Sequence, residues 1–176
     1  MSVRCRTYDF DPEMAREQIC QWVDEYKPDL VIGESLGALH ALRISNLPII
    51  LVSPALNAPF YLNILSRMTW IPGVTKLFNR IYKPKEGDRQ QLNFNGATLR
   101  KYRSHGRAAL DGLSSRTRPL HAFFGEFDHY RKSGVVSVRY WRRNLGDTFT
   151  LYPGTHFMEE EFISTCLIPK ITEFLE

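Results

Sequence analysis

Residues 30–44, LVIGESLGALHALRI, constrain the fold more than any other stretch of this chain. An apolar run stops at a glycine, a serine stands at a bend between two glycines, and an apolar helical repeat begins at once. Gly33-Glu34-Ser35-Leu36-Gly37 therefore lies where a strand ends and a helix starts. A bend this tight forces Ser35 into a strained backbone conformation and needs small residues where chain passes close to chain. It leaves the serine hydroxyl protruding at the carboxyl edge of the strand.

The alternation of short apolar runs with helical repeats extends in both directions. Residues 3–10, rich in β-branched and aromatic side chains, read as a strand. Asp11-Pro12 then supplies an N-cap and a proline at the first helical position, Ile19, Trp22, Val23 and Tyr26 form one apolar stripe, and Lys27-Pro28 ends the helix. Residues 30–32 and 49–52 read as strands covered on both faces, with Leu36, Leu39 and Ile44 turned inward from a helix between them. Further on come a strand at 119–125, a helix at 135–143 and a strand at 148–152. A last helix from near Met158 carries Glu159, Glu160 and Glu161 at its positive end and buries Ile163, Leu167, Ile171 and Phe174.

This series predicts an α/β chain: three layers, α/β/α, around a mostly parallel sheet. Between residues 54 and 117 the periodicity gives way to Pro, Gly, Asn, Arg and aromatic residues, with helical pieces near 61–68 and 73–82. That segment reads as a cap-like excursion within a single domain, 1–176.

A length of 176 residues with 43% apolar and 24% charged side chains fits one such domain. The charge of +4, from 23 basic and 19 acidic residues, is spread along the chain. Arg100, Lys101, Arg103 and Arg107, near Tyr102 and His105, read as a solvated face, so no nucleic-acid partner is expected. Cys5, Cys20 and Cys166 fit no paired metal spacing and suit a reduced, cytosolic setting. No apolar stretch has the length of a leader core or a membrane span, and no membrane partner is expected.

A serine hydroxyl is a poor nucleophile near neutral pH, so chemistry at Ser35 requires a base and an orienting acid. "FFGEFDHY" puts Asp128 just past one strand and "YPGTHFMEEE" puts His156 just past the next, in the order Ser, Asp, His and at the same edge of the sheet. In that arrangement His156 takes the Ser35 proton and returns it to the leaving group, while Asp128 fixes the imidazole tautomer. The backbone N–H of Leu36 faces the developing oxyanion. Plainer roles compete: Asp128 as the cap before Tyr130, His156 as a loop polar group. Glu126 is an alternative acid, His129 and His121 are less well placed as bases, and His40 and His105 read as packing or surface residues.

At these residues the chain resembles the α/β-hydrolase superfamily, and within it the small YqiA-like bacterial esterases. The resemblance rests on "VIGESLGALHA", "IILVSPALNAPFYL", "FFGEFDHYRKS" and "YPGTHFM", and runs in order over nearly the whole chain. It implies hydrolysis of a small-molecule ester, of short acyl chain, through an acyl-serine with no metal or organic cofactor. Ser35, Asp128 and His156 take the catalytic places. Pro54, Phe60 and Tyr61 fall where an acyl pocket is expected, in an aromatic segment that also holds Trp70, Phe78 and Tyr82.

The family begins with an apolar strand and a His-Gly-Phe loop that gives a second oxyanion donor. No such segment precedes Val3, so the resemblance implies an α/β-hydrolase fold lacking its first strand, and a start upstream is expected. An inactive binding protein on the same fold is the rival reading. A thioesterase or acyltransferase, holding a phosphate-bearing carrier at residues 100–107, is a further one.

Overall fold

Four short strands, β1 (Val31–Glu34), β2 (Ile49–Val52), β3 (Leu120–Gly125) and β4 (Phe149–Tyr152), make one parallel sheet in the order β1-β2-β3-β4. They belong to a computed structural model that describes residues 2–81, 95–113 and 116–176, the side chains at 78, 79 and 81 excepted. The helices are α1 (Pro12–Tyr26), α2 (Gly37–Ala41), α3 (Ala58–Met68), α4 (Val74–Ile81), α5 (Gly96–Asp111), α6 (Tyr130–Ser133), α7 (Val138–Leu145), α8 (Glu160–Phe162) and α9 (Ile168–Leu175). A π-helical turn, Ile163–Leu167, joins the last two. Two compact units result, one of Pro28–Ala58 with Gly106–Glu176 and one of Met1–Lys27 with Pro59–His105.

The first of these units holds the sheet. Register puts Glu34, Val52, Phe123 and Thr150 side by side, so alternate residues share a face. One face carries Ile50, Phe123 and Tyr152 against Leu167 and Ile171 of the C-terminal helix. The other carries Phe124, edge-on to Trp141 of α7 at 5.9 Å, and Gly33, which abuts α2. Helices therefore cover both faces, the three-layer arrangement expected.

β2 is buried throughout, as a central parallel strand must be. β1 departs from the expectation of cover on both faces: Ile32 is 42% exposed, because β1 is the edge of the described sheet. The C-terminal helix departs at one point. Pro169 has no N–H to reach the carbonyl four residues back, and just before it the Ile168 N–H bonds to Ile163 O, five residues back. The extra residue rotates the helix, so Ile163 is 37% exposed while Leu167 and Ile171 stay inside.

In the other unit α1 begins and ends where its punctuation requires. The Asp11 side chain accepts the Glu13 N–H at 3.0 Å, and Lys27 closes the helix at φ +45°. Residues 3–10 form no strand, contrary to expectation. Two of their polar groups bond to α1 instead: Arg6 donates to the Tyr26 hydroxyl at 2.8 Å, and the Asp9 N–H donates to Gln18 at 2.8 Å. Tyr102 of α5 is buried and donates to Phe10 O at 2.8 Å, while Lys101 bridges Asp11 and Glu13, each at 2.7 Å. Arg100, Arg103 and Arg107 are exposed, as a solvated face requires. Tyr82, expected in the aromatic segment, and the side chain of Phe78 lie outside the described residues.

Candidate active site

The bend after β1 is strained as its sequence demands. Ser35 sits at φ +51°, the left-handed region. Backbone bonds hold it there: its N–H donates to Val52 O at 2.9 Å, and its carbonyl accepts the N–H of Ala38 at 3.2 Å and of Ala55 at 3.1 Å. The elbow is thus tied to the exit of β2, where buried Pro54 lies. Gly33 has no room for a side chain, since a Cβ there would stand 2.7 Å from Ala41 Cβ and 3.0 Å from Gly37 O. Leu36, the first residue with right-handed helical angles (φ −64°, ψ −29°), enters α2 directly.

Asp128 and His156 come from the turns after β3 and β4, and both are buried. Each Asp128 carboxylate oxygen has its own hydrogen-bond partner. Oδ1 accepts the Tyr130 N–H at 2.8 Å, and Oδ2 lies 2.8 Å from His156 Nδ1. The opposite ring nitrogen, His156 Nε2, lies 2.9 Å from Ser35 Oγ. Tyr130 and Phe157 stand edge-on to the imidazole, with ring centroids at 4.6 and 5.1 Å. Burial raises the Glu34 carboxyl above the usual carboxylate range, with His156 pulling it the other way. An open cavity of about 490 Å³, lined by Glu126, Phe127, Asp128, Arg131 and Lys132, borders the acid.

The two turns interlock through backbone. The Glu126 N–H donates to Tyr152 O at 2.9 Å and the Phe127 N–H to Gly154 O at 3.0 Å. Arg131 reaches back from α6 to the carbonyls of Gly125 and Glu126, at 3.0 and 3.2 Å. Two glycines make this closeness achievable. A Cβ at Gly125 would collide with Thr155 O and stand 2.6 Å from Gly154 O. One at Gly154 would collide with Glu159 Oε2 and stand 2.8 Å from Tyr152 Cδ2. Sequence reasoning did not single these glycines out, although each precedes its polar residue by two or three positions in "GEFD" and "GTH".

The other candidates fall elsewhere. Glu126 and His129 are exposed, and His121 bonds Thr150 Oγ1 at 2.9 Å. His40, on α2, is buried, and desolvation pushes its pKa down to about 4. His105 is buried beside the Tyr102 ring. Tyr61 and Phe60 lie on α3 in the other unit, their rings edge-on at 5.4 Å, with Phe60 64% exposed. Among the described residues no group of His, Cys, Asp and Glu is placed to hold a metal ion.

No protein-family model and no curated protein matches the sequence. Among solved structures, the monoacylglycerol lipase of Paleococcus ferrophilus is similar over 99% of this chain and 77% of its own, at 16% identity and a TM-score of 0.55. MenH from S. aureus aligns over 99% and 78% at 14% identity and TM-score 0.48. E-2-(acetamidomethylene)succinate hydrolase aligns over 97% and 75% at 15% identity and TM-score 0.47. The chain has the α/β-hydrolase fold, which the lipase likeness and the helix-covered parallel sheet establish together. Nothing in these likenesses singles out the YqiA-like esterases within that fold.

Proposed function

We propose that this chain is a serine hydrolase that cleaves carboxylic esters of short acyl chains through an acyl-serine intermediate. One observation carries the reading: a continuous relay in which Ser35 Oγ lies 2.9 Å from His156 Nε2 and His156 Nδ1 lies 2.8 Å from Asp128 Oδ2. With the proton on Nδ1 donated to Asp128, Nε2 keeps the lone pair that accepts the Ser35 proton.

As that proton moves, Oγ bonds to the ester carbonyl carbon and the carbonyl oxygen becomes an oxyanion facing the Leu36 N–H. Collapse breaks the bond to the alcohol oxygen, which leaves with the proton held on Nε2. Water then repeats the sequence on the acyl-serine, giving up its proton to Nε2, and releases the carboxylic acid and Ser35. Asp128 acts only through the imidazole, whose tautomer it fixes and whose charged form it stabilises. The route needs no metal or organic cofactor.

For the acyl side the reading keeps Pro54, Phe60 and Tyr61. Their support is apolarity and, for Pro54, a place in the strand exit that bonds the elbow. A cytosolic setting is part of the same reading, supported by three cysteines that form no disulfide.

The test is turnover of p-nitrophenyl acetate and butyrate by the chain and by Ser35→Ala, together with covalent labelling by a fluorophosphonate. Turnover and labelling that both vanish in the variant are expected. No hydrolysis of any acyl ester and no label at Ser35 would leave the fold as a non-catalytic binding scaffold.

A further inference from the structure

Helix α3 carries an apolar stripe that faces solvent. Phe60, Ile64 and Met68 follow one another at four-residue spacing, and all three are exposed. The turn after the helix adds Ile71 and Trp70, the latter 80% exposed, and α4 adds Leu77 at 53%. The stripe belongs to a helix held from its other side. Ser66 there is buried, and Gly96, at the start of α5, abuts Ser66 O and Thr69 Oγ1. Single exposed apolar residues are ordinary, but a run crowned by a bare tryptophan marks a contact surface.

The charge of this segment says what the contact is. Residues 58–81 contain no Asp or Glu and three bases, Arg67, Lys76 and Arg80, all exposed. Arg67 lies three residues from Ile64, on the stripe side of α3, and Lys76 and Arg80 share one side of α4. Outward apolar and indole side chains flanked by long cations fit the boundary of an anionic bilayer, where the rings enter the headgroup layer and the cations meet phosphate. A second copy fits less well, since a two-fold contact would bring the same cations face to face.

We propose that α3, the turn at 69–73 and α4 form a docking surface for anionic lipid bilayers. The surface departs from the sequence expectation of no membrane partner. It involves no crossing of the bilayer, for no described helix is long and apolar enough to span one. It does not rest on the hydrolase reading.

The full chain is sedimented with vesicles of phosphatidylcholine alone and with vesicles that also contain phosphatidylglycerol. Binding at least about tenfold stronger to the anionic vesicles is expected, weakened by added salt and accompanied by a blue shift of tryptophan emission. Trp70→Ser with Leu77→Ser should abolish the shift and lower binding about tenfold, as should Arg67→Gln with Lys76→Gln and Arg80→Gln. All these positions are exposed, and an unchanged melting curve verifies that the variants fold. Phe60 is left intact because the acyl side also claims it. Equal affinity for both vesicles, binding indifferent to the substitutions, or no binding at all overturns the proposal. So does concentration-dependent self-association that Trp70→Ser with Leu77→Ser abolishes, which would assign the stripe to a second copy of the chain.

Discussion

Ser35 reaches the carboxyl rim of the sheet within five consecutive residues, whereas Asp128 and His156 reach it on separate turns 28 residues apart. The elbow concentrates its cost in one residue, at φ +51°, and offsets it with three backbone hydrogen bonds around Ser35. The acid and histidine turns hold no described non-glycine residue at positive φ. They depend instead on Gly125 and Gly154 letting two backbones touch. Strain positions Ser35 and close approach positions His156, so the two regions should fail in different ways.

The largest effect separates chemistry from scaffold. Ser35→Ala and His156→Ala should each lower kcat for a p-nitrophenyl ester by about 10⁴-fold or more, and the double variant little further, because the pair acts as a unit. Retained turnover in Ser35→Ala would break the relay altogether. Next, Asp128→Ala should cost about 10⁴-fold, while Glu126→Ala, on the same turn but exposed, should leave kcat unchanged. Equal losses at the two positions would mean that the histidine is oriented by something other than the 2.8 Å bond to Asp128.

A smaller effect probes close approach. Gly125→Ala and Gly154→Ala each force a Cβ into backbone or a packed ring, and overpacking of this kind costs about 1–3 kcal/mol. The displaced His156 should lower kcat by about a further 10²-fold, since a 1 Å misplacement of a catalytic group is enough for that. Gly33→Ala should cost comparable stability through Ala41, seen as a lower melting temperature, but by moving the elbow. Gly125→Ala with wild-type kcat would show that the turns do not depend on that closeness.

The same contrast accounts for what the sequence made legible. Ser35, its strain and its glycine could be read from five letters because the elbow is local. Asp128 and His156 followed from their strands, whose apolar runs and in-register pairing put both turns at one edge. What stayed hidden was non-local. A β-branched and aromatic run at 3–10, alternating in part with basic residues, became coil, with Tyr26 and Gln18 claiming two of its polar groups. Ile163 turned outward because Pro169 shifts the helical phase, which a regular 3.6-residue count cannot register. The glycines at 125 and 154 matter only once β3 and β4 are neighbours.

The smallest effect is also the sharpest test of strain at the elbow. Ser35→Gly and Ser35→Ala remove the same hydroxyl and should be equally inactive, yet only glycine adopts φ +51° without a steric penalty. Relief of a left-handed side chain, less the extra freedom glycine gains in the unfolded chain, should leave Ser35→Gly more stable than Ser35→Ala by about 0.5–1 kcal/mol. For a chain of this length that is a rise in Tm of roughly 1–4 °C, within reach of calorimetry. His156→Gly should bring no such gain, because the imidazole fills a buried site from an unstrained backbone and its loss leaves Asp128 Oδ2 without its partner. A Ser35→Gly chain no more stable than Ser35→Ala would mean that the three hydrogen bonds at the elbow follow from its conformation rather than hold a strained residue in place.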